Sequence, residues 1–434
     1  MSDTKLNWDD CLQYDRASDI GMRRSNNQDS YAVEIADDEE TWQQRGHVFL
    51  VADGMGAHAA GELASSIAAE RVPTLYLKYR DQSAPEALQR AIIDTNSEVH
   101  SRGKANEEFH NMGTTCCVLA LLPQGVIAGH LGDSRIYRVR GGHLEQLTFD
   151  HSLVWEMRAA GQLKDNDGLA NIVPKNVITR SLGPNPIVKV DIEGPFPVEL
   201  GDSYLLCSDG LTGQIPDDEL GQLVDNLSPQ EAVRVLVDLS NLRGGPDNIT
   251  LIIFKVTGKK LTTEQAATEP IKLGSQPEER KVSPIWWAMM GACFLAGTGM
   301  ALLQSWLPAG MAAVAGLVFL ATILIQHYDI KPGRVLLKEG ERFGRGPYTK
   351  TESVASLQVA ERLADIIRQL RDAANEQEWD VDWSPLDELC QKAADGVSRS
   401  DYAEALRRYG RGISFMMEQA RAQSKSSDSS IDLA

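Results

Sequence analysis

His47-Val48-Phe49-Leu50-Val51-Ala52-Asp53-Gly54 (HVFLVADG) reads as a buried strand that ends on a carboxylate. Taken alone, Asp53-Gly54 is an ordinary turn dipeptide. The chain repeats the device, however. LLCSDG closes another strand on Asp209-Gly210, GHLGDSR places Asp133 after the strand GVIAG, and GGPDNIT sets Asp247-Asn248 just before ITLIIF. RRSNNQDS adds Asp29 ahead of Tyr31-Ala32-Val33.

Aspartates at so many strand ends suggest one convergent acidic centre. Hard divalent cations such as Mg²⁺ and Mn²⁺ take oxygen ligands and keep several waters, so a few carboxylates suffice without a His/Cys cage. Glycine beside an aspartate lets the backbone approach closely and offers its carbonyl as a further ligand. Carboxylates this close repel one another unless a cation lies between them. The same pattern is also open to a metal-free cluster of turn residues.

Around these sites, TTCCVLALL, RIYRVRG, DSYLLCSD and NITLIIFKV read as further strands. AAGELASSIAAERVPTLYLKY, PEALQRAIIDTNSEVHSRG and PQEAVRVLVDLSNLRG carry helical periodicity. Hairpin-like spacing argues for antiparallel pairing, and the whole predicts an α+β domain over residues 1–257, with strands and helices in layers. Lys and Arg number 43 against 61 Asp and Glu, a net charge of -18, which disfavours nucleic acid as a partner. The six cysteines show no C-x-x-C spacing and read as small buried hydrophobes in a reducing compartment.

Residues 258–284 are polar and predict a linker. From Ile285 to Gln326 no side chain is charged. Broken at Pro308-Ala309-Gly310, that run predicts two transmembrane helices within 285–327, about Ile285–Leu307 and Met311–Gln326. Trp286, Trp287 and Trp306 suit a membrane interface. Arg280 and Lys281 before the run, with Lys331, Arg334 and Lys338 after it, place both flanking domains on the cytoplasmic side of the cell (inner) membrane. Residues 328–423 predict a C-terminal helical domain with helices over Thr351–Glu376 and Tyr402–Ala422, and Ser/Asp-rich 424–434 a disordered tail.

The ordered series GMRRSNNQDSY, VADGMGAHAAGE, MGTTCCVLAL, GHLGDSRIYRVR, LTFDHS, ITRSLG, LLCSDGLT and GGPDNITLIIF closely resembles the type 2C metal-dependent serine/threonine protein phosphatases in their bacterial form. The resemblance runs from about Ile20 to Val256. It implies an α/β/β/α sandwich of two antiparallel sheets flanked by helices, with two Mn²⁺ or Mg²⁺ ions at one end. Asp53 would bridge both ions, the Gly54 carbonyl would bind one, and Asp209 and Asp247 would hold the other. Asp29 would bind metal-coordinated water, and Asp133 would serve a third, weaker site. Arg24 matches the phosphate-binding arginine. A water shared by two such cations is acid enough to act as hydroxide at neutral pH, so no protein nucleophile is required.

Two positions depart from the usual pattern: Ala57 stands where a second glycine is common, and Gln28 where Glu is more frequent. His58 and His151 are candidates for protonating the leaving group. The function implied is a membrane-anchored phosphatase acting on phosphorylated proteins, opposing a serine/threonine kinase. A scaffold or sensor with a structural metal centre, or a small-molecule phosphatase of the same chemistry, is the alternative.

Overall fold

A computed structural model of the chain describes residues 6–56, 59–163, 173–174, 177–266, 271–273, 284–328, 335–336 and 342–431. The chain divides into two compact units: Met1–Arg80, Ala84–Pro270 and Lys338–Ala434 form one, Asp81–Ser83 and Ile271–Leu337 the other.

The strands in chain order are β1 (Leu12–Asp19), β2 (Asp29–Glu34), β3 (His47–Met55), β4 (Gly113–Thr114), β5 (Cys116–Leu122), β6 (Gly125–Leu131) and β7 (Arg135–Arg140). They continue with β8 (His143–Gln146), β9 (Asp191–Phe196), β10 (Ser203–Cys207), β11 (Ile249–Val256), β12 (Lys272–Leu273), β13 (Val335–Leu336) and β14 (Thr349–Glu352). The helices up to Ala266 are α1 (Glu39–Arg45), α2 (Ala60–Lys78), α3 (Ala84–Ala105), α4 (Leu153–Ala159), α5 (Asp209–Thr212), α6 (Asp217–Asn226), α7 (Pro229–Leu242) and α8 (Thr263–Ala266). After them come α9 (Pro284–Leu302), α10 (Trp306–Tyr328), α11 (Leu357–Glu376), α12 (Ser384–Ser398) and α13 (Tyr402–Ile431).

Two antiparallel sheets make the larger unit, one in the order β1-β11-β10-β7-β8-β14 and the other β2-β3-β5-β6-β9, with β4 on β3. The central strands are apolar on both faces because each face is covered. In β10, Tyr204 and Leu206 point to the opposing sheet, while Leu205 and Cys207 point to the helices outside. Phe254 stacks on Phe49 of the other sheet at 4.3 Å between ring centroids and on Tyr204 at 4.8 Å. Helices α2 and α3 cover the second sheet, and α6 and α7 the first. Ser228 starts α7 with a capping box to Glu231, and Pro229 occupies the first turn, where its missing N–H costs nothing. The expected α/β/β/α sandwich is therefore present.

The C-terminal helices also form, and they belong to this same unit. Val359, Leu363, Leu386, Leu406, Ile413 and Met416 share one buried core with Leu220, Leu223, Val235 and Leu236. Burying each such side chain stabilises by roughly 1.5–3 kcal/mol. The first helix begins at Leu357, capped by Ser356, because Thr349–Glu352 is drawn off as a strand on β8. α12 had no separate signal in the periodicity. α13 runs to Ile431, into the stretch expected to be disordered, since extending a formed helix fixes one residue per added bond. At the other end of the linker, Thr263 and Val198 are tied by two hydrogen bonds and Leu261 is buried.

In the smaller unit α9 and α10 pack together. The membrane-spanning reading of 285–327 is not supported: among the described residues no helix is long and apolar enough to cross a membrane. The break falls at Leu303–Ser305, with Gln304 in the left-handed region at φ 58°, rather than at Pro308. Pro308 sits in the first turn of α10, where a proline is tolerated. The first helix is thereby cut to 19 residues. The basic residues Arg280, Lys281, Lys331, Arg334 and Lys338 used for orientation lie outside the described residues.

Candidate metal centre

Strand register gathers the aspartates. Asp29 and Asp53 stand directly opposite each other in the β2–β3 pair. Cys207, at the end of β10, faces Leu251 of β11 on one side and Arg135 of β7 on the other. Asp209, two residues beyond Cys207, therefore meets both the approach to β11 that carries Asp247 and the approach to β7 that carries Asp133.

The polar links agree. Ser208 Oγ donates to Asp29 Oδ2 at 2.7 Å. Arg24 Nη2 donates to Asp247 Oδ2 at 2.8 Å. The backbone of Asp53 is held by Thr115 Oγ1, which lies 2.7 Å from Ser134 Oγ. The glycines are required by close packing: a Cβ on Gly54 would stand 2.2 Å from Gly61 O, and one on Gly210 2.0 Å from Asn248 O.

The electrostatics mark these carboxylates as a set. Withdrawal from water, followed by neighbouring carboxylates, pushes the Asp29 carboxyl up to about 7. Burial, with Asp209 as the next cause, pushes Asp133 up to about 7 as well. Burial, then Asp29, holds Asp53 well above the usual carboxylate range, and burial, then Asp247, raises Asp209. Asp29 Oδ1, Asp133 Oδ1 and Asp209 Oδ1 are buried without a hydrogen-bond partner. Among the described residues no group of three or more His, Cys, Asp and Glu side chains is placed to hold a metal ion as the chain stands. Orphaned oxygens on mutually repelling carboxylates are nevertheless the donor set that a hard divalent cation fits.

Beside the centre lies a groove of about 600 Å³, lined among others by Arg24, Asp133, Arg135, Asp150, Trp155, Arg158, Asp209 and Asp247. Six of the expected site residues, Arg24, Asp29, Asp53, Asp133, Asp209 and Asp247, thus converge, with Gly54 among them. Ala57 and His58 lie outside the described residues. His151 is fully buried: its Nδ1 accepts from the Gly132 N–H at 3.1 Å, and its Nε2 lies 2.9 Å from Asp191 Oδ2. That ring braces the loop before Asp133 and does not face the groove. Burial pushes the Cys116 thiol up to about 12, in keeping with a packing role.

Two arginines were missed. Arg135 grips Asp150 through Nε and Nη2 at 2.9 and 2.7 Å and presents its guanidinium to Trp155, while Arg180 reaches Asp191 at 3.2 Å. Both arginines lie inside the quoted motifs GHLGDSR and ITRSLG, so the signal was present.

Residues 22–239, half of the chain, match the protein phosphatase 2C family. A putative protein phosphatase 2C-type of Streptococcus pyogenes serotype M6 is 36% identical over 241 residues, covering 54% of this chain and 94% of the relative. Protein phosphatase PhpP of Streptococcus pneumoniae is 35% identical over 243 residues, covering 55% and 95%. Among solved structures, the Mycobacterium tuberculosis serine/threonine phosphatase PstP/Ppp has 30% identity and a TM-score of 0.49, over 57% of this chain and all of that one. With its carboxylates gathered as described and its sequence matched over this span, the chain belongs to the protein phosphatase 2C family and is a metal-dependent protein phosphatase.

Proposed function

We propose that this chain hydrolyses phosphoserine and phosphothreonine on proteins, in opposition to a serine/threonine kinase, at a centre of two Mn²⁺ or Mg²⁺ ions. The observation that carries the reading is the convergence of Asp29, Asp53, Asp133, Asp209 and Asp247 beside Arg24, with three buried carboxylate oxygens left without partners. Asp53, the Gly54 carbonyl, Asp209 and Asp247 would hold the two ions, and Asp133 a third, weaker one. Bound cations supply an acidified water and offset charge on the phosphate oxygens.

The chain's own residues do the rest. Arg24 stands half-exposed at the groove, where its planar fork matches two phosphate oxygens. Its present hold on Asp247 keeps the guanidinium aimed at the acidic centre before substrate arrives. Ser208 orients Asp29 through a hydrogen bond to one carboxylate oxygen, leaving the other free to hold water. Thr115 and Ser134 fix the backbone at Asp53.

The test is hydrolysis by the full chain of a phosphothreonine peptide, p-nitrophenyl phosphate and a sugar phosphate, with Mn²⁺ and with EDTA. Release of phosphate from the peptide, abolished by EDTA, is expected. Turnover of the sugar phosphate alone would favour a metabolite phosphatase. Metal binding by calorimetry without any turnover would favour a structural centre.

A further inference from the structure

Phe343-Gly344-Arg345-Gly346-Pro347-Tyr348 lies outside the residues matched to the family, yet it packs on Phe149, behind the groove residue Trp155. Glu193 of β9 is 2% exposed, and its carboxylate is wrapped by this turn. Glu193 Oε2 accepts from the backbone N–H groups of Arg345 and Gly346 at 3.0 Å each, and Oε1 accepts from the Tyr348 hydroxyl at 2.6 Å. The wrap needs its glycines. Gly344 sits at φ +69°, and a Cβ there would stand 1.8 Å from Glu193 Oε2. One on Gly346 would stand 2.6 Å from Leu147 O.

Three short paths run from this turn to the groove. The Tyr348 ring packs edge-on against Phe149 at 5.4 Å, and Phe149 against Trp155 at 5.3 Å. The Tyr348 N–H donates to Gln146 O at 2.8 Å, and Gln146 Nε2 donates to Asp150 Oδ1 at 2.7 Å, the carboxylate that holds Arg135. On β9, Asp191 lies two residues from Glu193 and so on the same face; it holds His151, which braces Gly132 beside Asp133.

We propose that Phe343–Tyr348 is a positioning element, with Tyr348 and Glu193 as positioning residues: by gripping β9 and Phe149 from behind, it fixes the groove wall of Arg135 and Trp155. Substrate engagement by this chain then depends on its own C-terminal segment. The inference rests on the phosphatase reading of the groove.

The test uses the full chain with Tyr348→Ala, Tyr348→Phe and the side-chain control Arg345→Ala, whose backbone donor is retained. Tyr348→Ala is expected to raise KM for a phosphothreonine peptide about fivefold or more while kcat on p-nitrophenyl phosphate stays within about twofold. Tyr348→Phe, which keeps the ring, should fall between, and Arg345→Ala should match the parent chain. Hydrogen–deuterium exchange should rise across residues 149–158 in Tyr348→Ala. An unchanged peptide KM, or an equal loss on both substrates, overturns the proposal, whereas a purely structural role would shift the urea midpoint alone. If the parent chain hydrolyses neither substrate, the phosphatase reading fails. Exchange at 149–158 still decides the coupling in that case: if it is unaltered in both Tyr348 variants, the positioning element is refuted. Because Tyr348→Phe preserves the packing, a collapse of Tyr348→Ala leaves the exchange and KM of Tyr348→Phe to decide.

Discussion

Two regions of this molecule handle buried charge in opposite ways. At the end of the sandwich, the buried carboxylates of Asp29, Asp53, Asp133 and Asp209 push one another's values up, and among the ion pairs of the described residues none of them has a basic partner. On the helical flank, Glu219 is fully buried but holds Arg243 Nη2 at 2.7 Å and Arg362 Nη1 at 3.4 Å, and Asp238 holds Arg421 at 2.8 Å. Paired charge fastens the C-terminal helices to α6 and α7. Unpaired like charge does not stabilise a fold; it creates demand for a ligand.

The largest way to break this contrast is Asp53→Asn. Activity should fall by about three orders of magnitude or more, as expected when a charge-stabilising group at a reacting centre is lost. The metal-free variant should at the same time unfold at higher urea than the parent chain, because one repelling charge is gone. A drop in stability together with activity would place Asp53 with the paired charges instead.

On the flank the sign reverses. Glu219→Ala leaves Arg243 and Arg362 without their shared partner and should cost about 3 kcal/mol in urea denaturation.

The contrast sharpens with pH. Asp133 has its folded value raised to about 7, against an ordinary carboxylate value near 4 in the unfolded chain. The folded, metal-free protein therefore binds more protons than the unfolded one between these values. Its stability from this group is complete below about pH 4 and is lost as pH rises through about 7. Relative to Asp133→Asn, the parent chain should lose a few kcal/mol over that interval. A difference that stays flat from pH 4 to 7 would show that Asp133 feels no such crowding. Saturating Mn²⁺ should remove the slope.

The smallest effect is expected at the exposed Arg234–Glu418 pair between α7 and α13, whose side chains are 48% and 53% exposed. Glu418→Gln should change stability by no more than about 0.5 kcal/mol, since solvent screens such pairs.

The acidic centre was legible because its signals are local: an apolar run and then Asp with Gly alongside at Asp53, Asp133 and Asp209, and Asp247 just ahead of an apolar run, with Gly245 two residues before it. Gly54 and Gly210 confirm the logic, for each lies where a side chain would strike a backbone carbonyl. Other features were less legible. The uncharged run after Ile285 suggested two membrane spans, but composition does not say where a helix breaks, and the break at Leu303–Ser305 changed both lengths. His151 was a candidate either for proton transfer or for a structural role, and its burial against Gly132 and Asp191 assigned it to bracing.

By itself the amino-acid sequence determined a layered α+β domain and the set of aspartates, because strand periodicity and turn residues act over a few positions; the sandwich and the phosphatase chemistry were what its resemblance to the type 2C phosphatases implied. Tertiary structure alone decided that Thr349–Glu352 joins β8, that the C-terminal helices share a core with α6 and α7, and that Tyr348 meets Glu193 across 155 positions of chain. Those outcomes depend on surfaces meeting after the elements have formed, and no local pattern of residues encodes which surface will be met.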